Sequence, residues 1–126
     1  MFSMNGKGGS LTSLISNGTK VQGNIEFSDH MEIEGELVGN IEANEDSSAS
    51  LRVAEGGVVY GEIRVPNIVI NGSVEGDIFA GEHIELANKA NIKGTIYYKS
   101  IEMVKGAIVS GQLRQLHEEV KKRDDE

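Results

Sequence analysis

His30, His83 and His117 are the side chains most able to hold a metal ion or move a proton near neutral pH. They lack the close spacing of a ligand set, and the sequence has no cysteine to join them. The same absence removes disulfides and thiol nucleophiles. His30 and His83 precede the apolar pairs that open at Met31 and Ile84, with two repeat units between them. In a stack layered at about 5 Å they would stand roughly 15 Å apart, too far to share one ion. Gly6-Lys7-Gly8-Gly9-Ser10 has neither the spacing of a phosphate loop nor a buried strand before it, and reads as a linker. A Gly-x-Ser-x-Gly elbow and an aspartate-rich calcium repeat are both missing. These residues predict a protein that is not an enzyme, with no catalytic, cofactor-binding or metal-binding residues.

The elements behind these side chains are strands. From Ile68 to Ile78 every second residue is apolar or glycine, which is the period of a half-buried strand. The ending apolar-x-Gly-x-apolar recurs at Val21 to Ile25, Leu37 to Ile41, Val59 to Ile63, Val74 to Ile78, Ile92 to Ile96 and Val109 to Leu113. Each full unit opens with an apolar-x-apolar pair, giving units 31–41, 51–63, 68–78, 84–96 and 101–113. Their starts lie 20, 17, 16 and 17 residues apart, a solenoid period. The inward row continues through Phe27, Ala43, Val65, Ala80 and Tyr98, then fails at Gln115.

Short strands joined by glycine corners at this period predict an all-β protein, a parallel β-helix of about six coils. The irregular coil length favours a right-handed winding over left-handed hexapeptide coils. The predicted organisation is a flexible tail over 1–18, the β-helix over 19–113 and a charged tail over 114–126. Pro66, the only proline, is expected in a connector where no ladder donor is lost, and Glu42 to Ser50 in a surface loop. With 5% aromatic residues, no tryptophan and sixteen glycines, the packing has to come from a regular stack of Ile, Val and Leu. Outside the barrel, Glu75 should lie beside Lys93 and Glu32 beside Arg52, each pair contributing a few tenths of a kcal/mol.

Net charge is −8, and residues 21–113 hold fifteen acidic and six basic side chains. Such a body repels nucleic acid and anionic lipid, so membrane contact is left to the N-terminal tail, where Met1, Phe2, Ser3 and Met4 form a small apolar wedge. No apolar run reaches the roughly 20 residues of a spanning helix or the roughly 7–15 of a signal-peptide core, and a cytoplasmic location is expected.

The succession Lys20-Val21-Gln22-Gly23-Asn24-Ile25, Ile33-Glu34-Gly35-Glu36-Leu37-Val38-Gly39-Asn40-Ile41, Val74-Glu75-Gly76-Asp77-Ile78 and Ile92-Lys93-Gly94-Thr95-Ile96 resembles the bactofilins, bacterial polymer-forming cytoskeletal proteins. The opening Met1-Phe2-Ser3 also resembles the membrane-targeting start of many members. The resemblance implies nucleotide-free assembly, end to end, into non-polar filaments on the inner face of the cytoplasmic membrane. There such filaments position peptidoglycan-modifying enzymes and contribute to cell shape. Many members carry proline-rich terminal segments, and these tails have none.

An open β-helix leaves unpaired backbone groups and an apolar cross-section at each end unless a polar cap covers them. The expected polymerisation interface is Ile101, Met103, Ile108, Val109 and Leu113 at one end, with Val21, Ile25 and Phe27 at the other. The competing expectation is a short capping helix carrying Leu113, Leu116 and Val120. Two other functions fit a β-helix: an acyltransferase-like or hydratase-like enzyme subunit, or a monomer that binds a ligand along one face.

Overall fold

The computed structural model describes residues 12–44 and 48–116, and every regular element among them is a β-strand. The first coil holds β1 (Thr12–Ile15), β2 (Lys20–Gln22) and β3 (Ile25–Phe27), and the second β4 (His30–Ile33), β5 (Glu36–Val38) and β6 (Ile41–Ala43). The third holds β7 (Ser50–Val53), β8 (Val58–Tyr60) and the start of β9 (Ile63–Ile70). The end of β9, β10 (Ser73–Glu75) and the start of β11 (Ile78–Leu86) make the fourth. The end of β11 and β12 (Asn91–Tyr98) make the fifth, and β13 (Ile101–Met103) with β14 (Ile108–Gln115) the sixth. All pairing is parallel and runs from coil to coil, so the chain is a parallel β-helix with three faces.

Register follows the alternation read from the sequence. Ile15, Ile33, Val53, Ile70, Leu86 and Met103 form one inward row, and Val21, Leu37, Val59, Val74, Ile92 and Val109 another. Side chains in the middle of these rows are fully buried, and no polar side chain is buried among the described residues. Ile70 is 0% exposed between Val53 and Leu86. Ile70→Asp is therefore expected to cost about 3 kcal/mol or more, because the carboxylate loses water and finds no partner. An unchanged melting temperature would refute the inward assignment of its row.

The glycine row turns the second corner of each coil. Gly23, Gly39, Gly61, Gly76, Gly94 and Gly111 all have positive φ, from 128° to 154°. The residue after the glycine stitches neighbouring corners together. The Asn24 side-chain carbonyl accepts from the Asn40 N–H (2.9 Å), that of Asn40 from the Glu62 N–H (2.8 Å), and the Asp77 carboxylate from the Thr95 N–H (3.0 Å).

Three expectations are corrected. The β-helix already includes Thr12–Ile15, inside the segment read as a flexible tail: Ile15 is buried against Ile33, and its carbonyl accepts from Glu34 and Gly35. Ser13 stands where later coils have an apolar residue, which hid the coil in a Gly/Ser-rich stretch. At the other end β14 runs to Gln115, and the Leu116 N–H donates to the Tyr98 carbonyl (2.6 Å). A capping helix through Leu113 and Leu116 is thus excluded, while Val120 lies outside the described residues. Pro66 lies within β9 rather than between strands, opposite the two-residue bulge Gly81-Glu82, where the ladder is interrupted and its missing N–H costs nothing.

Candidate functional site

The two end coils are where this fold leaves valences open. Among the described residues every strand of the first coil pairs only upward, β1 with β4, β2 with β5 and β3 with β6. In the last coil β13 pairs with β11 and β14 with β12, and neither has a further partner among the described residues. Each end therefore presents backbone donors and acceptors with no ladder partner among the described residues, the feature that makes sheet edges associate.

Exposure along a single inward row locates the apolar part. Leu86 is 0% exposed while Met103, one coil further, is 46% exposed; Ile96 is 0% exposed while Leu113 is 43%. Ile101 and Val109 are half-buried against the coil below them. At the opposite end Val21, Ile25 and Phe27 are half-buried over Leu37, Ile41 and Ala43, with no coil on their other side among the described residues. Seven of the eight predicted interface residues thus belong to the two cross-sections. Ile108 does not: it is in register with Asn91 on the outward row and is 54% exposed there. The cross-sections also gain residues that the sequence reading missed. Ile15 completes the first, and exposed Val104 and Leu116 border the second. The predicted membrane wedge, Met1, Phe2, Ser3 and Met4, lies outside the described residues.

The titratable side chains are built into ladders. Glu75 and Lys93 are 4.0 Å apart on adjacent strands, and Glu32 and Arg52 3.9 Å apart. Both pairs are largely exposed, so each contributes a few tenths of a kcal/mol. His30 Nδ1 meets the Ser50 hydroxyl at 2.6 Å and His83 Nδ1 the Ser100 hydroxyl at 2.9 Å. The two imidazoles share one outward row through Ser50 and Asn67, three coils apart, and do not converge. His117 lies outside the described residues.

One outward row on the third face was not anticipated. It runs Glu26, Glu42, Arg64, Phe79, Tyr97, Arg114, one residue per coil. The Arg64 guanidinium lies 3.9 Å from the centre of the Phe79 ring, and Phe79 stacks on Tyr97 at 4.5 Å with the rings 1° from parallel. The signal was available, since each of these residues lies three positions after its corner glycine.

Residues 13–114 match a family model described as bactofilin, polymer-forming cytoskeletal. Bactofilin BacO of Myxococcus xanthus (strain DK1622) is 30% identical over 101 residues, covering 80% of this chain and 77% of that protein. No solved structure matches the chain.

Proposed function

Because this chain belongs to the bactofilin family of polymer-forming cytoskeletal proteins, we propose that it assembles end to end, without nucleotide, into non-polar filaments that line the inner face of the cytoplasmic membrane. The observation that carries this reading is the pair of apolar cross-sections, exposed at the last coil and half-buried at the first. In a non-polar polymer each end meets its own kind across a two-fold axis, which makes both contacts isologous. Strand edges then pair edge to edge while the apolar rows close over one another. The protein's work is structural: the polymer offers a long, regular, acidic surface on which peptidoglycan-modifying enzymes are held, and so contributes to cell shape. Negative-stain microscopy of the purified protein without nucleotide tests the first step. Filaments are expected, and discrete particles would overturn it.

Membrane attachment falls to Met1, Phe2, Ser3 and Met4, since the acidic body repels anionic headgroups. Four residues bind a bilayer weakly, so attachment depends on many copies in one polymer. Deleting residues 1–4 is expected to release the protein from co-pelleting liposomes and leave the filaments intact. A polymer-competent deletion that still pellets with liposomes would remove the tail from this role.

A further inference from the structure

The outward row on the third face has a sign pattern with consequences for how two rods lie side by side. It is acidic over the first two coils (Glu26, Glu42), then carries Arg64, the stacked rings of Phe79 and Tyr97, and Arg114 in the last coil. The four charged members are exposed and the two rings half-buried. Two of the six Phe and Tyr residues of a chain poor in aromatics thus lie on one outer row. Outward aromatic and arginine side chains of this kind anchor protein interfaces.

We propose that this face binds the same face of a second copy lying antiparallel to it, and so pairs neighbouring filaments. With a two-fold axis along the strand direction, the first coil of one copy meets the last coil of the other. Glu26 then faces the partner's Arg114, Glu42 the partner's Tyr97, and Arg64 the partner's Phe79, with each contact made twice. The parallel alternative sets Glu26 on Glu26, Glu42 on Glu42, Arg64 on Arg64 and Arg114 on Arg114. Those four like-charge contacts select against it. One residue per coil over six coils is a narrow patch, short of the roughly 800 Å² per partner of a stable interface. Pairing therefore depends on summation along a filament. It rests on the polymer reading above, in which a non-polar filament carries subunits of both directions and a neighbour shifted by one subunit meets an antiparallel partner at every step.

Filament width decides it. Phe79 lies in the fourth coil, away from both ends, and faces the partner's Arg64, so Phe79→Arg sets like charges against one another twice and is expected to give single filaments of wild-type length where the wild type gives pairs. Glu26→Arg and Arg114→Glu are each expected to separate the pairs, and the double variant to restore them. Raising salt from about 0.05 to 0.5 M shortens the screening length to under 5 Å and should separate pairs before it shortens filaments. Circular dichroism confirms folding, and if Phe79→Arg fails to fold the charge-swap set decides alone. Pairs that persist in Phe79→Arg, or a double variant that stays single, would overturn the proposal. Wild-type filaments that are only ever single would overturn it while leaving the polymer reading intact. A wild type without filaments would remove the polymer reading, and the pairing with it.

Discussion

Gly61→Ala is expected to leave the chain without a stable fold, although it adds a single methyl group. Gly61 sits at the second corner of the third coil with φ 153°, a conformation that a side chain disfavours. The larger effect is steric. A β-carbon at Gly61 would run into the backbone carbonyl of Gly39 in the coil below, a group with no rotamer through which to move aside. The coils cannot separate to make room. Gly39 N–H is bonded to the Tyr60 carbonyl and Ile41 N–H to the Glu62 carbonyl, so the corner is tied on both sides of the clash. Opening it would break these bonds and lift Val59 and Ile63, both 0% exposed, off the rows beneath. A cost above about 4 kcal/mol is expected, a large share of the roughly 5–15 kcal/mol that holds a domain folded. Denaturant titration checks it. Gly18→Ala is the control: that glycine also has positive φ (93°), but its added β-carbon meets nothing, so only the conformational penalty of about 1 kcal/mol applies.

Val109→Arg is expected to abolish long filaments and keep the fold. Val109 stacks on Ile92 from one side, and its other side has no coil above it among the described residues. An arginine there reaches water from the free monomer, so stability should fall by about 1–2 kcal/mol at most. In a C-terminal end-to-end contact the same residue is covered, and two-fold symmetry brings a second arginine close to it. Burying like charges without partners costs about 3 kcal/mol or more, which raises the concentration needed for assembly by roughly 100-fold or more. Met103→Arg should act alike, since Met103 continues the row of Ile70 and Leu86 and is 46% exposed. Light scattering reads assembly while circular dichroism reads folding. Folded variants that still form long filaments would take the last coil out of the interface.

The sequence carried the inner half of this fold better than the outer half. Aligning units on their glycine reproduces the register of Val21, Leu37, Val59, Val74, Ile92 and Val109, because glycine is required at the corner where coils approach most closely. The same alternation places Ile108 outside, next to inward Val109, yet hydrophobicity alone had assigned it to the end surface. The first coil was lost for the opposite reason. Ser13 and Gly18 in β1 and its turn look like linker composition, and only pairing with β4 reveals that Ile15 is core. The Arg64-Phe79-Tyr97 stack was legible as a row, since each of the three lies three residues after its corner glycine, but not as a contact. Period-2 alternation says which residues point outward and the glycine alignment says which of them share a row, but whether two neighbours in a row touch depends on side-chain rotamers that neither pattern fixes. Contacts between subunits lie beyond alternation altogether, since they depend on which rows are left uncovered in three dimensions.

The central claim is that subunits stack coil upon coil along one axis, and the diffraction of single filaments in electron micrographs tests it most directly. Strands run across the rod, and six coils at about 4.8 Å give roughly 29 Å per subunit, or about 58 Å for a non-polar pair. The account predicts a strong reflection near 4.8 Å along the filament axis, together with an axial repeat near 58 Å. A 4.8 Å reflection lying across the axis would contradict it, because the rods would then be joined by their sides rather than their ends.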